Sequence, residues 1–213
     1  MSIIEEISIY LQRGRAPKVK ELVEQAINEG ISPKAILEDG LLSAMSVVGE
    51  KFKNNEVFVP EVLVAARAMN AGLEVLKPRL TESGVEAKGV AVIGTVKGDL
   101  HDIGKNLVKM MLEGKGLEVY DLGVDVPAER FIDAAIQHGA DIICCSALLT
   151  TTMNEMKNVV EKAKEAGIRD KVKIMVGGAP ITSAFAESIG ADCYTLDAAS
   201  ASDAAIALCQ KNS

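Results

Sequence analysis

Positive charge is in deficit in this sequence. Its 23 lysines and arginines are outnumbered by 30 aspartates and glutamates, which gives a formal net charge of −7 and a pI near 5.0. An acidic surface is repelled by the phosphates of nucleic acids and by anionic lipids. We therefore expect no nucleic-acid partner and no membrane partner.

Long apolar runs are also missing. The sequence contains no uninterrupted apolar stretch of about 18 residues, the length that a membrane-spanning helix needs. Residues 3–7 are acidic and amphipathic and follow the start directly, without the basic segment that opens a secretory signal. We expect a protein that is neither exported nor inserted in a membrane, and we place it in the cytoplasm.

Cysteine motifs and phosphate-binding glycine motifs are absent as well. The four cysteines lack metal-ligand spacing, and we expect buried free thiols in a reducing compartment: Cys144, Cys145, Cys193 and Cys209. No Walker-type loop occurs, and Gly177-Gly178 does not fit the Gly-x-Gly-x-x-Gly fingerprint of a dinucleotide site. This pattern disfavours a nicotinamide-dependent enzyme.

The N-terminal part of the chain has the pattern of a helical bundle. With 213 residues, 48% of them hydrophobic, the chain can bury a sizeable core in one large domain or two small ones. Apolar residues recur at helical spacing in residues 3–13, 17–29, 33–53 and 60–76. Residues 78–88 interrupt this spacing and contain few large apolar side chains. We predict a four-helix bundle cap over residues 1–80, a linker over 81–88 and a second domain over 89–213.

Beyond the linker, apolar runs alternate with helical stretches. Strands are predicted near residues 89–95, 117–121, 141–146, 172–176 and 191–195. Helices are predicted near residues 103–114, 128–138, 152–166, 181–188 and 199–210. Such alternation is typical of α/β domains with helices on both faces of a parallel sheet. We predict a doubly wound, Rossmann-like domain with five parallel strands.

A loop rich in polar groups follows the first predicted strand, with the sequence Gly98-Asp99-Leu100-His101-Asp102-Ile103-Gly104. Open α/β sheets bind their ligands at the carboxyl ends of strands. In an extended loop the Asp99 carboxylate can accept the imidazole N–H of His101, which leaves the other ring nitrogen for a metal. An ordinary solvated loop is the alternative, because short motifs match by chance.

Two further pieces follow this loop at defined distances. After Gly104 come 41 residues and then Ser146-Ala147-Leu148, and 28 residues after Leu148 comes Gly177-Gly178. The three pieces and both gaps resemble the signature of the cobalamin-binding domains of methionine synthase, corrinoid methyl carriers and B12 mutases. Residues 95–106 resemble the methyl-transfer branch. Over essentially its whole length the chain resembles the small corrinoid proteins of methylamine, betaine, methanol and O-demethylase-type methyltransferase systems.

This resemblance implies a cobalamin bound base-off/His-on, with its own base displaced from the cobalt. His101 is then the metal ligand, Asp99 orients it, and Thr152 stands where methionine synthase has a serine that completes an Asp-His-hydroxyl relay. The displaced nucleotide tail runs beside Ser146, Leu148, Gly177 and Gly178. The other motif residues implied to bind the cofactor are Asp102, Ile103 and Gly104.

Two bulky residues of the helical part are implied to cover the methyl face of the cofactor. Phe52 and Val59 resemble in position the pair that the helical cap of methionine synthase lays over the cobalamin. Val59 stands where that enzyme has a leucine. A plain core position is the alternative for Phe52.

The resemblance further implies a methyl-carrying subunit that is not an enzyme on its own. Its cobalt cycles between Co(I) and methyl-Co(III). The implied partners are a substrate:corrinoid methyltransferase, a methylcorrinoid methyltransferase that passes the methyl group to tetrahydrofolate or coenzyme M, and a reductive activase. Since such a carrier meets two enzymes in turn, residues 78–88 are also a candidate hinge.

Two other classes share parts of this pattern. The small subunit of an adenosylcobalamin mutase carries the same B12 signature, but the helical bundle and the residues around His101 disfavour it. A B12-dependent light sensor also has a helical cap, but the chain lacks tryptophan and has no room for a DNA-binding domain. Residues 177–182 and 189–194 most resemble the carriers of the methylamine and betaine group, so we favour a donor of that group.

Overall fold

The computed structural model describes residues 1–210 and divides into two compact units. One unit comprises residues 1–87 and 114–116, and the other comprises residues 88–113 and the chain from residue 117 onward. The exact bounds of the predicted bundle, linker and second domain stay predictions.

The first unit is helical. Its elements are α1 Ile3–Gln12, α2 Ala16–Asn28, α3 Pro33–Ala35, a π-helical segment Ile36–Leu42, α4 Ser43–Lys53 and α5 Val59–Glu82. Serine caps fix two of the helix starts. Ser2 and Glu5 form a reciprocal capping box, and the Ser32 hydroxyl accepts a hydrogen bond from the backbone N–H of Ala35 at 3.2 Å.

The third predicted helix, residues 33–53, is one continuous helical stretch that changes its hydrogen-bonding pattern on the way. The π-helical segment lies inside it, and no sequence pattern indicated that change. Ile36, Leu41, Leu42, Met45 and Val48 form a buried apolar stripe along this stretch. This stripe packs with the apolar faces of α1, α2 and α5 into the core of the bundle.

The expected break of the helix at residue 78 is wrong, because α5 continues to Glu82 with Pro78 inside it. A proline close to a helix end removes one backbone donor, and the turn behind it can still close. Here Ser83 N donates to Arg79 O at 3.0 Å, and the Thr81 hydroxyl donates to Lys77 O at 3.1 Å. The non-helical connection to the second unit therefore starts only after Glu82.

The second unit is a parallel α/β fold. Its strands are β1 Val90–Thr95, β2 Glu118–Asp121, β3 Ile142–Ser146, β4 Lys173–Gly177 and β5 Cys193–Tyr194. Its helices are α6 Ile103–Gly114, α7 Ala128–His138, α8 Glu155–Glu165, α9 Ser183–Ile189 and α10 Ala198–Gln210. Within residues 1–210 the five strands form one sheet in the order β2-β1-β3-β4-β5, with every pair parallel. The predicted fold class is confirmed.

Strand order and register determine where a ligand site can lie. The order reverses between β1 and β3, and doubly wound sheets bind ligands at such a switch point, beyond the carboxyl ends of the strands. Thr95 at the end of β1 pairs with Ser146 at the end of β3, which pairs with Gly177 at the end of β4. The three motif pieces therefore start side by side at one edge of the sheet.

Both faces of the sheet are covered by apolar side chains. One cluster contains Val92, Phe131, Ile143, Val159 and Ile174, and the other contains Ile93, Leu112, Ile142, Cys144 and Met175. The four cysteines are free thiols, with Cys193 half-buried and the other three buried. Within residues 1–210, no helix has the length and apolar composition needed to cross a membrane.

Candidate functional site

The loop between β1 and α6 is held to the sheet by polar contacts on both sides. The hydroxyl of Thr95, which is fully buried, donates to the backbone carbonyl of His101 at 2.8 Å. On the other side, Gly98 N donates to the Asp125 carboxylate at 2.7 Å, and Asp125 N donates to the backbone carbonyl of Asp99 at 2.9 Å. The backbone that carries His101 is therefore fixed at several points.

The Asp99 carboxylate lies at the centre of this site and is fully buried. Its Oδ1 atom accepts hydrogen bonds from His101 N at 3.1 Å and from His101 Nδ1 at 2.7 Å. Its Oδ2 atom accepts from Leu148 N at 2.8 Å, Leu149 N at 3.2 Å and the Thr152 hydroxyl at 2.8 Å. Asp99 thus joins the loop after β1 to the loop after β3.

These contacts determine the charge of Asp99 and the tautomer of His101. Burial alone would raise the pKa of Asp99, but the hydrogen bonds from His101, Leu148 and Thr152 outweigh it and hold that pKa well below its ordinary value. The carboxylate is therefore ionised at neutral pH and can only accept. His101 Nδ1 must donate, so the neutral ring carries its lone pair on Nε2. The His101 side chain is 52% exposed, which makes Nε2 accessible as a metal ligand.

Thr152 contributes the third side chain of this arrangement. Its single hydroxyl proton lies between Asp99 Oδ2 at 2.8 Å and Leu149 O at 3.0 Å. The charged and nearer acceptor forms the stronger bond. The predicted helix start near residue 152 is wrong, because residues 149–154 form turns and α8 begins at Glu155. Thr152 lies in these turns, with its backbone N–H bonded to Leu149 O and its hydroxyl directed at Asp99.

The double glycine after β4 has two different surroundings. A Cβ on Gly178 would lie 1.8 Å from the carbonyl oxygen of Ala147, and its φ of +132° is one that L side chains rarely adopt. A Cβ on Gly177 would meet nothing within 4 Å. Gly178 is therefore required by the approach of the two loops, while Gly177 borders open space.

An exposed apolar surface surrounds the polar site in the loops after β1, β2 and β3. Its members are Leu100, Ile103, Val124, Leu148 and Leu149, with Leu100 and Ile103 at 70% and 75% exposure. Exposed apolar patches of this size on a folded domain are typical of sites where another molecule binds. Within residues 1–210, no three His, Cys, Asp or Glu side chains are grouped as a metal site.

Comparisons with known proteins bear on the whole chain. A family model described as a B12 binding domain matches residues 89–207, and a second model with the same description matches residues 3–77. The chain is 46% identical over 200 residues to a dimethylamine corrinoid protein from Methanosarcina barkeri, covering 93% of each chain. It belongs to the B12-binding corrinoid protein family.

Two further comparisons support this family. The trimethylamine corrinoid protein 1 of Methanosarcina acetivorans is 48% identical over 176 residues, 82% of each chain. The crystal structure of the methanol:cobalamin methyltransferase complex MtaBC from Methanosarcina barkeri contains a chain that matches with a TM-score of 0.88 and 33% identity. That match covers 98% of this chain and 80% of the other. The predicted family is confirmed, and the cofactor class of this corrinoid protein is cobalamin.

The residues at the sheet edge fit such a cofactor. Cobalt in a corrin ring is already held by the ring nitrogens, so a single histidine of the correct tautomer is a suitable protein ligand. Gly104 stands in the first turn of α6, and a Cβ there would meet nothing within 4 Å, as at Gly177. Packing within the chain does not require glycine at either position. Both leave room for a bulky group beside the exposed apolar surface.

The other predicted site residues of this corrinoid protein lie next to the start of α6, at the end of β3 and in the helical unit. Asp102 accepts a hydrogen bond from Asn106 Nδ2 at 3.1 Å, one turn along α6. Ser146 is half-buried at the end of β3, and its carbonyl accepts from Val96 N at 3.0 Å. Phe52, near the end of α4, and Val59, the first residue of α5, are half-buried in the helical unit.

Three residues that support the site were not singled out from the sequence. The Thr95 hydroxyl donates to the His101 carbonyl, and Leu149 N donates to Asp99. The Asp125 carboxylate, in the loop after β2, accepts a hydrogen bond from Gly98 N. Thr95 ends the strand that leads into the motif, so its position could have indicated a role in holding the loop. Asp125 acts across two loops with a φ of +53°, and no local pattern marks it.

Thr152 allows a test of the hydrogen bonds around Asp99. Thr152→Val removes the hydroxyl and keeps the shape, so the buried carboxylate loses a donor and the free energy of unfolding should fall by about 1.5–3 kcal/mol. Thr152→Ser is the matched control, because it keeps the hydroxyl and should cost about 1 kcal/mol or less. Urea unfolding of the apo proteins measures both. Equal losses in the two variants would contradict the role given to the hydroxyl.

Proposed function

We propose that this corrinoid protein carries a methyl group on a cobalamin bound base-off/His-on at the carboxyl edge of its sheet. The observation that supports this most is the contact set of Asp99, which fixes the orientation and tautomer of an exposed histidine at the switch point of the sheet. When bound, the cobalamin supplies a cobalt ion that accepts a methyl group from one enzyme and yields it to another.

Three side chains have distinct tasks in this proposal. His101 would offer Nε2 as the protein ligand to the cobalt. Asp99 accepts the Nδ1–H hydrogen bond of that ring and fixes its orientation, and Thr152 donates to the same carboxylate. The negative charge of Asp99 raises the basicity of Nε2 and so would strengthen the bond between His101 and the metal.

The remaining site residues are proposed to hold the body of the cofactor. Gly104 and Gly177 leave space for it, and Ile103 and Leu148 present exposed apolar side chains to it. Ser146 and Gly178 border the path of the nucleotide tail, and Asp102 steadies the start of α6. For Phe52 and Val59 we keep the role implied by the resemblance, which is to shield the methyl group.

The partners follow from the function of a carrier. We propose a substrate:corrinoid methyltransferase that delivers the methyl group, a second methyltransferase that transfers it to tetrahydrofolate or coenzyme M, and a reductive activase. Relatives named as dimethylamine and trimethylamine corrinoid proteins, together with the resemblance of residues 177–182 and 189–194, support a methylated amine as the donor class.

A donor panel tests this proposal. The protein, loaded with cobalamin and chemically reduced to the Co(I) form, would be incubated with a substrate:corrinoid methyltransferase and, one at a time, with mono-, di- and trimethylamine, betaine, methanol and a methoxy-aromatic. We expect methylation of the cofactor, followed in the absorption spectrum, with a methylated amine. Methylation by methanol or the aryl ether alone would contradict the donor class, and failure to bind cobalamin would contradict the function.

A further inference from the structure

A buried lysine lies behind the histidine loop, and the function proposed above does not use it. Lys105 is in the first turns of α6, and its side chain is only 2% exposed. Its ammonium group donates to Asp121 Oδ1 at 2.6 Å, at the end of β2. It also donates to Asn106 Oδ1 at 2.8 Å. A buried charge of this kind is kept only where its partners are well placed.

The partners of Lys105 lead back to His101 by two routes. Through the helix, Asn106 Nδ2 donates to the Asp102 carboxylate at 3.1 Å, next to His101 in sequence. Through the sheet, Gly123 N donates to Asp121 Oδ1 at 2.9 Å, and Gly123 O accepts from Thr95 N at 3.0 Å. Thr95 in turn donates its hydroxyl to the carbonyl of His101. Lys105 thus connects the start of α6 with the end of β2, the two elements that hold the loop carrying His101.

We infer that Lys105 is a positioning residue for the cobalt ligand. By tying the start of α6 to the end of β2, the Lys105–Asp121 ion pair holds His101 where its Nε2 atom can coordinate cobalt. This inference rests on the proposed function. It assigns to Lys105 an effect on metal ligation that differs from the effect of Asp99, because Lys105 acts on the backbone of the loop and does not contact the imidazole.

The same helix supplies a matched control. Lys109 lies one turn further along α6 and also reaches Asp121, at 3.4 Å from Oδ2, but its side chain is 31% exposed. Lys105→Met and Lys109→Met remove the same charge from the same carboxylate. In Lys105→Met, Asp121 keeps the Gly123 amide and Lys109 as partners, so no buried charge is left alone.

The experiment compares the parent, Lys105→Met and Lys109→Met as full-length proteins loaded with cobalamin. We measure the dissociation constant for cobalamin and the paramagnetic resonance spectrum of the Co(II) form, with and without ¹⁵N-histidine labelling. For Lys105→Met we expect the dissociation constant to rise about tenfold, the low end of the loss seen for partners behind a metal ligand. The histidine-dependent splitting should weaken, while Lys109→Met should resemble the parent.

The outcomes separate this inference from the proposed function. If the parent itself shows no histidine-dependent splitting, the base-off/His-on proposal fails. If the parent shows it and Lys105→Met retains it in full, or if Lys109→Met loses as much, the inference about Lys105 fails. A thermal melt of each apo protein checks folding. Should Lys105→Met not fold, Asn106→Ala removes the bridge to Asp102 without altering a charge, and unchanged ligation in that variant would overturn the inference.

Discussion

Replacing His101 with alanine should reduce methyl transfer at least about a hundredfold, because loss of the ligand must cost as much as loss of the partners behind a metal-bound histidine. The variant should still bind cobalamin, since Gly104, Gly177 and the apolar surface around the site are unchanged. The cobalt of the bound cofactor should then carry no histidine ligand. The absorption spectrum of the loaded variant and the rate of transfer with both partner enzymes measure these effects.

The second histidine provides a control for this prediction. His138 ends α7 and stacks on Tyr120, with ring centroids 3.6 Å apart. Because α7 runs antiparallel to the strands, His138 lies toward the opposite edge of the sheet from His101. His138→Ala should leave transfer and cofactor spectrum near those of the parent. A comparable loss in both variants would argue against a specific role for His101.

Gly178→Ala should lower the free energy of unfolding by about 3 kcal/mol or more, since it adds backbone strain to a steric overlap. The new Cβ would lie 1.8 Å from the Ala147 carbonyl oxygen at a φ of +132°. The loop that contains Leu148 and Leu149 would have to move, and both residues donate to Asp99. We therefore expect lower stability of the apo protein and weaker cobalamin binding together.

Gly177→Ala separates stability from binding. Its Cβ would meet nothing within 4 Å in the apo protein, so the unfolding free energy should change little. If the cofactor fills that space, as proposed, cobalamin binding should still weaken. Urea unfolding and equilibrium binding of both variants give the test. Unchanged cobalamin affinity in Gly177→Ala would show that the cofactor does not approach this residue.

The architecture was predictable where short-range patterns determine it. Apolar periodicity located the strands and helices of the α/β unit. The distances between the three motif pieces were informative because parallel strands bring their carboxyl ends to the same edge of the sheet. The register of Thr95, Ser146 and Gly177 is the physical basis of that spacing. Asp99 and His101 were paired correctly since two residues on an extended loop face the same way.

Other features depend on contacts between distant segments, which no local pattern encodes. The roles of Asp125 and of the Leu149 amide arise only when separate loops meet. Gly178 was expected to make room for the cofactor, but the structure shows that Ala147 already requires a glycine there. The helix through Pro78 and the π-helical segment likewise reflect packing and turn closure within the helical unit, which override the local signal.

The central claim is that His101 coordinates the cobalt of a base-off cobalamin, and one spectrum tests it most directly. The protein would be produced with ¹⁵N-labelled histidine, loaded with unlabelled cobalamin and reduced to the Co(II) form. If His101 is the axial ligand, the nitrogen splitting in the paramagnetic resonance spectrum changes from a triplet to a doublet on labelling, and His101→Ala abolishes that change. A triplet that persists in the labelled protein would show that the cofactor's own base remains on the cobalt, and would contradict the claim.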